Sequence, residues 1–187
     1  MTFLSDTTLK WGITLLLFAV MLPLSAQQIL SLKAERDDSL RAWEIESDST
    51  DFDGELYFRF TNDVIPRYWD YRTGELAGTI KATWDDNPND WVLDGMEIDA
   101  QAKTTWRGQF HRWNVDIGGK RIIWEFTQDK DGYFWEIKDK PNGSLFMYME
   151  WEDDMRDWII EDYMSEDFPY EGKVFLVFLA MFSHMVK

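Results

Sequence analysis

The chain reads as an all-β protein: an up-and-down antiparallel meander of about 10–11 strands, forming a barrel or a strongly curved open sheet, with a short apolar C-terminal helix packed on its tryptophan face. Two observations carry this. Trp69, Trp91, Trp113, Trp135 and Trp158 follow at steps of 22, 22, 22 and 23 residues, an internal repeat of two strands each. Apolar and charged residues alternate through the segments these tryptophans open, as in Trp135-Glu136-Ile137-Lys138, the period of two of a strand with one buried and one wet face. A second set, Trp84, Trp106, Trp124 and Trp151, closes the preceding segments.

Met1 to Ala26 reads as a cleavable export signal. Lys10 supplies a positive charge, Trp11 to Leu22 an apolar core of about 12 residues, and Pro23-Leu24-Ser25-Ala26 a cleavage region ending in a small residue. That core is too short to span a bilayer, which takes about 20 residues. The expected location is therefore periplasmic or extracellular, with no membrane span in the mature chain. Residues 27–42 stay open between strand and helix: Leu30, Leu32 and Ala34 alternate, but Lys33-Ala34-Glu35-Arg36 also suits a helix. A single β-domain then fills 43–187. Strands are expected near 43–47, 55–60, 67–72, 77–84, 90–94, 102–107, 112–117, 120–126, 133–138, 144–151 and 157–163.

The turns have local signatures. Gly118-Gly119 is a two-residue loop of the kind that needs positive φ, and Lys140-Pro141-Asn142-Gly143 suits a type I turn with glycine in the left-handed position. Trp84 and Trp91, Trp106 and Trp113, and Trp151 and Trp158 are each separated by seven residues. In an even-looped hairpin an odd separation can place two residues directly opposite on one face, so each pair is expected to stand side by side. The longer separation of Trp124 and Trp135 leaves their register open to a bulge. Near the C-terminus, Ser165-Glu166-Asp167 followed by Pro169 marks a helix start. The apolar segment within 170–185, Val174 to Phe182 above all, favours a buried helix over a buried strand, although it has no period that decides between them.

Composition narrows the function. The 187 residues carry 35 acidic and 19 basic side chains, a net charge of −16, which disfavours nucleic-acid phosphates and anionic membrane surfaces. With 17% aromatic residues the chain nevertheless has ample material for a core. Cysteine is absent, which removes disulfides, thiolate metal sites and thiol nucleophiles. No phosphate-cradling glycine loop, dinucleotide fingerprint or nucleophile elbow occurs, and no cofactor is expected.

The candidate ligand-binding residues are Trp84, Trp91, Trp106, Trp113, Phe110 and His111, near the hairpin loops of one end, where indoles partly exposed could stack on sugar rings or hold an apolar molecule. Asp85, Asp86, Asp90, Asp153 and Asp154 are weak Ca²⁺ candidates, oxygen-rich but without a complete calcium-loop spacing. The expectation is an exported, non-catalytic binding or structural component of the cell envelope with a protein or glycan partner. The alternatives are a glycan- or apolar-ligand module using rim or lumen tryptophans and, last, a carboxylate-dependent hydrolase.

Overall fold

The computed structural model describes residues 27–36, 39–59, 67–85, 87–130 and 132–186, so the expected export signal lies outside the described residues. Among them run twelve strands: β1 (Ile29–Arg36), β2 (Ser39–Ser47), β3 (Gly54–Phe58), β4 (Tyr68–Thr73), β5 (Leu76–Trp84), β6 (Asn87–Asp94), β7 (Asp99–Trp106), β8 (Gln109–Ile117), β9 (Lys120–Asp129), β10 (Gly132–Ile137), β11 (Gly143–Trp151) and β12 (Asp154–Met164). A helix, α1 (Tyr170–Met185), follows. Each strand pairs antiparallel with its neighbour in sequence, and β1 returns to β12 through Ser31↔Ile159, Leu32↔Trp158 and Lys33↔Asp157, closing the barrel. Closure leaves no edge strand among the described residues.

The expected antiparallel meander is present, and the start of the chain completes it. The described strands number twelve where the sequence leads one to expect about 10–11, because the segment left open between strand and helix forms β1 and the beginning of β2. A register shift between Ile29 and Ser31 hid this. It turns Ile29 and Leu32 inward, both fully buried, and leaves Leu30 on the outer wall, so simple alternation fails there.

A ring of eight strands is about filled by its own inward side chains, whereas twelve enclose a wider space. Here α1 fills it. Val174 through Phe182 are fully buried, and around them stand the inward indoles of Trp43, Trp69, Trp91, Trp113, Trp124, Trp135 and Trp158, each at most 1% exposed. Phe178 lies edge-on to Trp69 at 5.7 Å and to Trp91 at 4.9 Å, and Phe182 to Trp91 at 4.5 Å. Each fully buried ring of this size stabilises by roughly 1.5–3 kcal/mol. The surroundings also explain why the apolar run is a helix: a lone strand in a closed lumen would leave its N–H and C=O groups without partners, whereas a helix satisfies its own. Gly172 lets α1 pass the wall, since a methyl there would stand 2.8 Å from Ile117 Cγ2.

The helix begins later than the sequence suggests. Ser165 and Phe168 form a turn, Pro169 precedes the first helical residue, and the acidic residue of the first turn is Glu171. Glu171 is completely buried, and its carboxylate accepts from the Met96, Glu97 and Ile98 amides at 2.9, 2.9 and 3.1 Å and from the Tyr71 hydroxyl. Two residues on, the buried Lys173 ammonium lies 2.8 Å from Asp162 and donates to the Gln27 carbonyl. Asp162 in turn accepts from the Ile29 and Met164 amides at 3.1 and 3.0 Å.

Candidate functional site

Hairpins β5–β6, β7–β8 and β11–β12 share one construction at the end of the barrel opposite the entry of α1. Their tight turns close with the pairs Trp84↔Asn87, Trp106↔Gln109 and Trp151↔Asp154. The next pairs are Ala82↔Trp91, Thr104↔Trp113 and Met149↔Trp158, so the first strand has advanced two residues and the second four. The two extra residues form a wide irregularity in the second strand.

This overturns the expected pairing of indoles across each hairpin. The second tryptophan of each pair meets the residue two positions before the first. Trp124 likewise faces Ile137, not Trp135, although the two rings still stack diagonally at 5.7 Å. Displaced onto the turn, the first tryptophan points outward: Trp84, Trp106 and Trp151 are 60%, 50% and 63% exposed. Partial exposure was expected at all of Trp84, Trp91, Trp106 and Trp113. It holds for Trp84 and Trp106, while Trp91 and Trp113 are fully buried.

The irregularity has an inner purpose too. Its carbonyl accepts from the buried indole three residues later, Trp91 to Pro88 at 2.8 Å and Trp158 to Met155 at 2.8 Å, as Trp43 does to Leu40 at 3.1 Å. Trp113 departs, donating to Ser183 of α1 at 3.0 Å. The Trp124 and Trp135 indole N–H groups are buried with no acceptor among the described residues.

The remaining candidates divide. His111 stacks on Trp106 at 5.9 Å, and the Arg112 guanidinium lies 6.0 Å from the same ring, so both belong to the outer rim. Phe110 turns inward and packs on Trp113 and Phe182, each at 6.0 Å. The described carboxylates of the turns are mostly neutralised individually. Asp85 lies 3.6 Å from Arg67, Asp90 3.4 Å from Lys103, and Asp154 is gripped by Arg156. Those Arg156 hydrogen bonds lower the Asp154 carboxyl to about 2. Asp153 occupies the left-handed turn position with φ 62°, and Asp86 lies outside the described residues. Among the described residues, no group of three or more His, Asp or Glu is arranged to hold a metal ion.

Between hairpins β5–β6 and β7–β8 a groove of about 430 Å³ opens, lined by Trp84, Asn87, Asn89, Asp90, Lys103, Thr104, Thr105 and Arg107. Its floor is a fixed polar network. Asn89 Oδ1 accepts from Thr104 Oγ1 at 3.1 Å and from the Gly108 amide at 2.6 Å, Asn87 Oδ1 accepts from the Asn89 amide at 3.1 Å, and Asn87 Nδ2 donates to Asp90 at 3.2 Å. Of these residues the sequence singles out only Trp84, as a ligand contact, and Asp90, as a weak Ca²⁺ candidate. The side-chain-to-backbone motif of Asn87-Pro88-Asn89 was the available signal, but its closeness to Thr104 and Arg107 depends on the neighbouring hairpin. A larger depression of about 690 Å³ on the outer wall of β1–β4 is lined chiefly by charged groups such as Lys33, Glu46, Asp53 and Arg72, and no aromatic side chain lines it.

Comparison with known protein families, with curated proteins and with solved structures returns no match.

Proposed function

We propose that this chain is an exported, non-catalytic binding protein of the cell envelope, acting through the outside of a plugged barrel with the hairpin rim as its contact surface. The observation that carries the reading is the recurrence of one exposed indole at the same turn position in three hairpins: Trp84, Trp106 and Trp151. Exposed indoles are otherwise disfavoured on a wet surface, and tryptophan is over-represented where binding energy is concentrated. The outer wall supports an aqueous setting. Cross-strand pairs such as Lys33–Glu46, Lys81–Asp94 and Arg121–Asp116 cover it, whereas a lipid-facing wall is apolar. No helix among the described residues is long and apolar enough to cross a membrane. Export rests on the signal read in residues 1–26.

The test is retention on isolated envelope material of the producing organism. The wild-type chain is expected to be retained, and a variant with Trp84, Trp106 and Trp151 all replaced by Ala to pass through while melting normally. Equal retention of the two would overturn the rim as the working surface.

A further inference from the structure

We infer that the groove between hairpins β5–β6 and β7–β8 is a subsite for a neutral glycan chain; this rests on the reading of the rim as the contact surface and names its ligand. The groove joins two unlike surfaces. One wall is the exposed indole of Trp84, a flat apolar platform. The floor and far wall are Asn87, Asn89, Asp90, Lys103, Thr105 and Arg107. A pyranose ring is divided in the same way, with C–H bonds on its faces and hydroxyls, each donor and acceptor, around its edge. Its face covers the indole while its edge meets amide, carboxylate and guanidinium groups.

The floor is held before any ligand arrives. Asn89 is buried and fixed by Thr104 and the Gly108 amide, and Asp90 is oriented by Asn87 and Lys103, so little side-chain freedom is lost on binding. The volume lies within the range of about 300–1,000 Å³ common for small-ligand sites.

Other ligand classes fit less well. An apolar molecule would strip water from the Asn87 and Asp90 side chains without replacing its hydrogen bonds. A polyanion would meet a chain of net charge −16, with Lys103 already paired to Asp90. A peptide adding as a strand needs a free sheet edge, and the closed barrel has none among the described residues.

The repeat gives the ligand its length. Successive hairpins recur every two strands, about 10 Å along the rim, which is comparable to two sugar units of an extended chain. Trp84 and Trp106 occupy equivalent positions on consecutive hairpins, so alternate rings of one chain can rest on the two indoles.

The experiment is isothermal titration of the protein with glucose, N-acetylglucosamine and mannose and with cello-, chito- and manno-tetraose. At least one tetraose is expected to bind at least about tenfold more tightly than its monosaccharide, because two linked contacts reinforce one another. Trp84→Ala is expected to abolish the heat of binding, Trp106→Ala to bring the tetraose down to monosaccharide affinity, and Tyr163→Ala, an exposed aromatic at the other end, to change nothing. Binding that survives Trp84→Ala, or silence from all six sugars, overturns the inference. If the sugars are silent while envelope retention still depends on the three rim indoles, the glycan falls and the rim reading stands. If retention ignores the three indoles, the rim reading falls whatever the sugars do.

Discussion

At the end of the barrel where α1 enters, buried groups are held by charge: Glu171 sits in three backbone amides and Lys173 on Asp162. At the opposite end the helix finishes among rings, with His184 edge-on to Trp158 at 5.0 Å, and the indoles just outside face solvent. Charge at the first end fixes where the plug sits, because a displaced ammonium or carboxylate would be buried without its partner. Rings at the second end tolerate small shifts, and their hairpins are free to present side chains outward. The first end is built to hold and the second, on the proposal above, to bind, so the same kind of substitution should cost stability at one and spare it at the other.

The largest effect should come from the locked end. Asp162→Asn leaves the Lys173 ammonium buried without a carboxylate and is expected to cost about 3–5 kcal/mol in denaturant unfolding. Adding Lys173→Met removes the stranded charge and should recover most of that loss. A double variant as unstable as the single one would show that the ion pair does not position the plug.

High pH probes the same end. Burial, with the Glu171 hydrogen bond second, raises the Tyr71 phenol above its ordinary value near 10, and burial raises Tyr170 likewise. Because the folded values are the raised ones, this stability is whole below about pH 10 and is lost as pH climbs beyond it, at about 1.4 kcal/mol per pH unit for each phenol. The phenolate absorbance of these two tyrosines should therefore appear only together with the loss of the barrel's circular dichroism. Their ionisation in the folded protein would mean that this end is open to water.

Within the lumen the comparison narrows to single indoles. Trp158→Phe strands the Met155 carbonyl, whereas Trp135→Phe removes an N–H that has no acceptor among the described residues. The first is expected to cost about 1–3 kcal/mol more than the second. Equal costs would mean that the carbonyl contact contributes nothing. At the rim the stability effect should be smallest, within about 0.5 kcal/mol for Trp84→Ala, because this indole is exposed.

Much of this was legible in the residues. Alternation around Trp91, Trp113, Trp135 and Trp158 marked strands with an inward indole face, though it did not show that Trp91 and Trp113 are fully buried. Gly118-Gly119 marked a turn whose φ values are indeed positive, 55° and 82°. The rest depended on backbone geometry or on distant partners. The two extra residues in β6, β8 and β12 share no side-chain signature, since Asn87 and Asp154 each accept from the amide two residues on while β8 has Gln109 at that position, so parity placed Trp84 opposite Trp91 when Ala82 stands there. Closure needed β1, whose alternation the shift at Ile29 and Ser31 breaks. The run Val174 to Phe182 is apolar all round and so carries no period, and only the closed lumen explains why it is a helix. Glu171 and Lys173 look like surface residues in the sequence, because the Glu171 partners at Met96 to Ile98 lie 73 to 75 residues away, and Lys173 meets Asp162 of β12 and, 146 residues away, Gln27 only once the barrel has closed. Of the candidate ligand residues, Trp84, Trp106 and His111 lie together on the rim, while Trp91, Trp113 and Phe110 pack in or against the core.

Amide hydrogen exchange of the α1 backbone tests the plugged barrel most directly. Residues 174–182 are expected to exchange as slowly as the strand amides around Trp113 and Trp158, through global unfolding alone. Fast exchange of α1 while those strands stay protected would show the helix leaving an intact barrel, and would contradict a fixed plug.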